Sequence, residues 1–287
     1  MNKQSFKESF MGIVFFLSAL ASIFAVALIC LFLFANGIPA IAEIGVFRFL
    51  LGTEWAPNDL PASYGILPMI IGSIYVTAGA ILLGVPVGIF TAVFMAKVCP
   101  KPLYAILKPM VDLLAGIPSV VYGFFGIVTI IPLIRTVFGG TGSSILAASI
   151  LLGLMILPTI IGITESAIRA VPQELYDGAV ALGSSHERAV FAVLLPAAKS
   201  GIIAAVVLGI GRAIGETMAV IMVAGNQARL PVDVLKGVRT LTANIVIEMG
   251  YAAEMHREAL IATGVVLFIF ILLINFSFSL LRKEGAK

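Results

Sequence analysis

Residues 67–96 read LPMIIGSIYVTAGAILLGVPVGIFTAVFMA, a run without a single Asp, Glu, Lys, Arg or His. A helix needs about 20 apolar residues to cross the hydrocarbon layer of a bilayer. Inside that layer an isolated run must satisfy its own backbone hydrogen bonds, which makes it helical. Outward from this run, five more follow the same rule: roughly Phe10–Ala35, Leu113–Ile134, Ile145–Ile163, Gly201–Ala224 and Leu260–Leu281. The expectation is an all-α integral membrane protein with six transmembrane helices. Composition agrees, since 60% of the 287 residues are hydrophobic and 11% charged, against about 25% charged in a soluble domain. A formal charge of +3 is too small to mark a nucleic-acid binder.

The basic residues set the expected orientation. With the N-terminus inside, the inner segments carry eleven Lys and Arg and the outer segments six, so both termini are read as cytoplasmic in a plasma or inner membrane. The first run is too long for the ~7–15-residue core of a signal peptide and is read as a retained span. Three connections are long: 36–66 (outer, with Trp55), 164–200 (inner) and 225–259 (outer, with Arg229 and Arg239). Trp55 suits an interfacial anchor or a docking residue for a partner protein on the outer side, and the two arginines suit solvent or such a partner. The chain divides into a front segment, 1–66, and a core, 67–287. Cys30, Cys99, His186 and His256 have no metal-ligand or redox spacing, so no metal site and no catalytic constellation is expected. Gly72, Gly79, Gly84 and Gly88 read as close helix packing, as does Gly211-x-x-x-Gly215, and Pro86 reads as a kink whose lost hydrogen bond the surrounding packing makes good.

Residues 172–196, PQELYDGAVALGSSHERAVFAVLLP, read as a short helix starting after Pro172, a break at Gly183, and a second helix leading to Pro196. Glu174 and Asp177 lie early in the first helix, where its dipole favours acids, and Leu175, Ala179 and Leu182 form one apolar face. The segment resembles the cytoplasmic loop of bacterial ABC importer permeases: acid-Ala-Ala, three residues, Gly, nine residues, then aliphatic-x-Leu-Pro. Asp177, Gly178, Ala179 and Gly183 stand at the first positions, and Val193, Leu195 and Pro196 at the last. Asp for Glu and Gly for Ala depart from the pattern. The resemblance implies a type I ABC importer permease fold in which this loop docks on an ATPase subunit. Asp177, Gly178, Ala179, Gly183 and Pro196 would then couple the two rather than catalyse. No G-x-x-x-x-G-K-[ST] phosphate loop occurs, so ATP is expected to bind a partner chain and no cofactor to bind this one.

A narrower resemblance is to the PstC-type permeases of the phosphate-specific transport system. It rests on Trp55-Ala56-Pro57 with Tyr64-Gly65-Ile66-Leu67-Pro68, on Ala115-Gly116-Ile117-Pro118-Ser119-Val120-Val121-Tyr122-Gly123, and on Gly211-Arg212-Ala213-Ile214-Gly215-Glu216-Thr217-Met218-Ala219. It implies import of inorganic phosphate, with a PstA-like second permease, a PstB-like ATPase dimer and a PstS-like extracytoplasmic phosphate-binding protein as partners. Arg212 and Glu216, four apart, read as one face of the fifth span, and the resemblance links both to translocation. A charge at this depth costs a few kcal/mol and marks a pathway or a structural pair. A guanidinium fork matches phosphate oxygens, while a carboxylate accepts the proton that phosphate carries and sulfate lacks. Ser119 and Thr217 are further candidate donors, with helix packing as their alternative role. The rival readings are a phosphonate, molybdate or sulfate permease, the sister PstA-type permease, a secondary transporter, and a scaffold or membrane enzyme.

Overall fold

A computed structural model describes the backbone of residues 3–284 and the side chains of residues 10–277. Of the basic residues that set the expected orientation, Lys3, Lys7, Arg282, Lys283 and Lys287 have side chains outside the described residues. Five helical spans among the described residues are long and apolar enough to cross a membrane, and a bent pair supplies a sixth.

The chain opens with α1 (Lys3–Ile44), which continues past the run that ends at Ala35. A short helix, α2 (Val46–Leu51), and a two-residue antiparallel hairpin of β1 (Trp55–Ala56) and β2 (Ser63–Tyr64) lead to α3 (Leu67–Val93). One π-turn, Phe94–Val98, closes α3 before α4 (Lys101–Gly116). The third span is α5 (Ser119–Phe125), a π-turn at Gly126–Ile130 and α6 (Ile131–Phe138). It starts later than the apolar run predicts, because Leu113–Gly116 belong to α4. Pro118 disfavours helical backbone at the residue before it, and Ile117 is accordingly extended at ψ 126°.

The fourth span, α7 (Ile145–Arg169), is the axis of the bundle. Of its most apolar window 67% is buried, against none of that of α1. Leu151, Leu152, Met155, Ile156 and Ile160 of α7 fill the core with Val76 and Ala80 of α3. Lipid provides no hydrophobic drive between helices, so close van der Waals contact holds them. The glycines of α3 supply it, since a Cβ at Gly84 would stand 2.9 Å from the Gly153 carbonyl and one at Gly88 2.7 Å from Ile160. Gly211 and Gly215 do not repeat this. A Cβ at either meets nothing within 4 Å, so the second G-x-x-x-G is not a seam within this chain.

Beyond α7 come α8 (Gln173–Ala181), α9 (His186–Ala189), a π-turn at Val190–Leu194 and α10 (Leu195–Ala197). The chain then bends by 70° into α11 (Lys199–Gly215). The fifth apolar run is not one helix: it stops at Gly215 and resumes as α12 (Met218–Val223). Next, α13 (Leu241–Glu248) covers the Ile245–Met249 stretch, and α14 (Glu254–Glu284) is the last span. The front segment packs onto this last span. α1 lies along α14, with Phe34 and Phe268 edge to face at 5.7 Å between centroids.

Candidate translocation site and coupling segment

The break between α11 and α12 decides the geometry of the charged pair. Glu216 is extended, at ψ 134°, so the four-residue spacing does not put Arg212 and Glu216 on one helical face. This corrects the expectation of a continuous fifth span. The Glu216 carboxylate turns forward instead, and its Oε1 accepts the Ala219 amide at 3.1 Å. That satisfies one orphan donor at the start of α12, where the helix dipole also favours an anion. Thr217 folds back, its Oγ1 donating to the Gly215 carbonyl at 3.2 Å.

Arg212 is half-buried, and among the described residues its one hydrogen bond runs from Nη1 to Thr159 Oγ1 on α7 at a long 3.5 Å. Among the described residues no carboxylate reaches it within ion-pair distance. Beside it lie Gly211 and Gly215, open on their Cα faces. Ser119 begins α5, half-buried. That helix packs on α12, with a Gly123 Cβ position 3.2 Å from Ala219 Cα. Arg212, Glu216 and Thr217 thus flank one break, and Ser119 stands on the helix against its outgoing half.

The 172–196 segment folds as its sequence predicts. α8 ends at Gly183, whose φ of +85° suits a residue without Cβ. The Gly183 amide donates to the Val180 carbonyl at 2.9 Å and the Ser184 amide to Ala179 at 3.1 Å, a Schellman closure. Ser185 then caps α9 through the Arg188 amide at 3.3 Å. Tyr176 Oη and His186 Nδ1, 2.7 Å apart, tie the two helices together. Asp177, Gly178, Gly183 and Pro196 are exposed and Ala179 half-buried. Leu175 and Leu182 are exposed too, Leu182 at 91%, so the two leucines of the apolar face that they form with Ala179 are left largely uncovered by the described residues.

Two buried clusters escaped the sequence reading. At the end of the bundle that carries the 172–196 segment, Glu165 of α7 accepts from Tyr104 Oη at 2.6 Å and from Arg169 Nε at 2.8 Å. Lys108 Nζ stands 3.3 Å from its other oxygen. Arg169 Nη2 also donates to the Met95 carbonyl at 2.9 Å, so α4 and the end of α3 are clamped to α7. The hydrogen bond to Glu165, followed by burial, pushes the Tyr104 phenol above its ordinary range. Burial alone would lower Lys108, but the Asp112 and Glu165 carboxylates outweigh it and hold the ammonium up.

At the opposite end, Glu248 is buried and accepts from three segments. Trp55 Nε1 donates to its Oε2 at 2.8 Å, His256 Nε2 lies 2.8 Å from the same oxygen, and Arg239 Nη1 pairs with Oε1. Trp55 is therefore neither an interfacial anchor nor a docking residue but a buried strut of this cluster, 8% exposed. Arg239 likewise faces inward, donating also to Asn244 Oδ1 and the Asn226 carbonyl, each at 3.1 Å. Arg229 is exposed as expected. The only hint in sequence was a Glu standing inside the short apolar stretch Ile245–Met249.

Residues 84–284 match the family described as binding-protein-dependent transport system inner membrane component. The chain is 40% identical over 267 residues to the probable ABC transporter permease protein YqgH of Bacillus subtilis, covering 90% of this chain and 86% of that one. It is 37% identical over 262 residues to the phosphate transport system permease protein PstC of Xylella fastidiosa, covering 83% and 80%. Its backbone superposes with a TM-score of 0.68 on a chain of a bacterial alginate ABC transporter solved with an alginate pentasaccharide-bound periplasmic protein. That match covers 98% of each chain at 15% identity, a likeness of fold alone. A multi-pass helical bundle, a broken fifth span and a match over most of the chain agree, and this chain belongs to the family of binding-protein-dependent transport system inner membrane components, the permease subunits of ABC importers, with the type I importer fold.

Proposed function

We propose that this chain is the PstC-type permease of an ATP-driven importer of inorganic phosphate, and that the break at 216–217 is its translocation site. The observation that carries the reading is Arg212: a guanidinium within a membrane span whose one partner is a distant hydroxyl. A charge at that depth is costly unless it is paired or faces a polar path, and a planar fork of donors suits a phosphate oxyanion. The open faces of Gly211 and Gly215 give an anion, or a second permease, room to approach. The PstC-named relatives supply the substrate class.

Glu216 selects. With Oε1 engaged by the Ala219 amide, Oε2 is left to accept the proton of hydrogen phosphate, and it repels sulfate, which has none to give. Thr217 and Ser119 add hydroxyl donors along the same break. Asp177, Gly178, Ala179, Gly183 and Pro196 face a PstB-like ATPase dimer that binds the ATP, with the exposed Leu175 and Leu182 as the apolar contact. Both termini and this segment are cytoplasmic. The β1–β2 hairpin end meets a PstS-like phosphate-binding protein, a kind of partner supported by the alginate ABC transporter's complex with a periplasmic protein, and a PstA-like permease completes the passage.

The test is labelled-phosphate uptake into vesicles holding the whole transporter, with and without internal ATP and with excess sulfate. The expected result is ATP-dependent, sulfate-resistant uptake, lost in Arg212→Gln while the complex still assembles. Sulfate uptake rising in Glu216→Gln would support the selectivity role. ATP-driven uptake of another oxyanion alone would keep the architecture and discard phosphate.

A further inference from the structure

The break at 216–217 leaves backbone groups that a continuous helix would have paired, and one of them finds its partner outside α11 and α12. The Glu216 carbonyl accepts a hydrogen bond from Thr242 Oγ1 of α13 at 3.0 Å. Thr242 is buried, and its hydroxyl lies 3.1 Å from that of Thr240, which caps α13 by accepting the Ala243 amide at 3.3 Å. The same helix end is pinned to α3, where Ser73 Oγ accepts the Leu241 amide at 3.0 Å. The last residue of α13 is Glu248, held by Trp55, Arg239 and His256. Arg239 also grips the Asn226 carbonyl, and the Asn226 side chain donates to the Ile221 carbonyl of α12 at 2.8 Å. One two-turn helix therefore touches the break with its first turn and is anchored by its last.

We propose that α13 is a strut that sets the geometry of the translocation break, with Thr242 the residue that positions the Glu216 peptide and the Glu248 cluster its anchor. Turning the Glu216 peptide stretches its bond to Thr242, and α13 cannot follow while Ser73 holds one end and three segments hold the other. Removing the hydroxyl takes the side-chain donor from the Glu216 carbonyl and frees Glu216 to leave its orientation. The inference rests on Arg212 and Glu216 being the translocation site.

Thr242→Val removes the donor while keeping the branched shape, and Thr242→Ser keeps the donor. Each is measured in vesicles holding the full transporter, with phosphate uptake and ATP hydrolysis read on the same preparation and Arg212→Gln alongside. The phosphate moved per ATP hydrolysed falls at least about fivefold in Thr242→Val, while Thr242→Ser stays within about twofold of wild type. That ratio does not depend on how much transporter folds, so a purely structural role leaves it unchanged. A wild-type ratio in Thr242→Val, or an equal fall in Thr242→Ser, overturns the strut, and loss of uptake in Arg212→Gln then leaves the site standing. Wild-type transport by Arg212→Gln removes the site and the strut with it. If Thr242→Val does not assemble, Ser73→Ala tests the same pin from the other side, with a fall expected and an unchanged ratio refuting it.

Discussion

Replacing Glu248 by Gln is the sharpest test of how the hairpin end is built. The carboxylate takes donors on both oxygens: Trp55 and His256 at Oε2, Arg239 at Oε1. An amide of the same shape keeps one acceptor oxygen and presents an NH2 in place of the other. If its oxygen faces Trp55 and His256, the NH2 meets the Arg239 guanidinium, donor against donor, and a half-buried cation loses its countercharge. If the amide is flipped, the Trp55 N–H loses its acceptor. Breaking a buried ion pair by removing one partner costs about 3–5 kcal/mol, whereas Trp55→Phe, which removes one donor and keeps a ring, costs about 1–2 kcal/mol. At about 2–4 °C per kcal/mol for a chain of this size, Glu248→Gln lowers the unfolding midpoint by about 6–20 °C and Trp55→Phe by about 2–8 °C. Thermal unfolding in detergent, followed through Trp55 itself for the Glu248 variant and by circular dichroism for both, gives the order. If the flipped amide is the one adopted, the double variant falls short of additivity by about 1 kcal/mol, because both changes then remove one shared bond; if the oxygen stays on Trp55, the two changes add. A midpoint within about 2 °C of wild type for Glu248→Gln would refute the shared cluster.

Two further predictions concern glycines. Gly183→Ala places a Cβ at φ +85°, which costs about 1–2 kcal/mol, so the Gly183 and Ser184 amides that close α8 should exchange hydrogen about 5–30 times faster. Gly88→Val drives a side chain into Ile160 across the α3–α7 seam and should cost at least about 1–3 kcal/mol in thermal stability. Gly12→Val, where a Cβ meets nothing within 4 Å, should leave the midpoint unchanged.

The spans were legible in sequence because bilayer thickness fixes their length, and a run such as 67–96 has no other stable form. Their ends were less so. Leu113–Gly116 are as apolar as the span after them, and only the backbone restriction before Pro118 assigns them to α4. Gly183 was legible because a helix-ending glycine has a local cause. The break at 216–217 was not, since Gly215-Glu216-Thr217-Met218 contains no proline and reads as a continuation. What stops α11 there is tertiary: Thr242 takes the Glu216 carbonyl and Glu216 caps α12. The Glu248 cluster was hidden for a similar reason, because Trp55 and Glu248 are 193 positions apart and no local period joins them.

The treatment of buried charge differs along the molecule, and that contrast bears on function. At one end Glu165 has Tyr104, Arg169 and Lys108 around it. At the other Glu248 has Trp55, Arg239 and His256. Both acids are compensated by groups from more than one segment, Glu165 by α4 and its own helix and Glu248 by β1, α14 and the stretch before α13, and such networks tie together the elements they join. Arg212, half-buried within the fifth span, has among the described residues one long hydrogen bond to Thr159, and the acid four residues on is turned away to cap the next helix. A structural ion pair was within reach of the sequence, for an unbroken helix would have set Glu216 beside Arg212. Breaking the helix there separates the charges and leaves each with capacity for a third group. A passage needs that arrangement, because a cation already neutralised by its neighbour has little attraction left for cargo. On the proposed reading of the break as the translocation site, the two clusters hold the frame on either side of it, and movement during transport would concentrate between them.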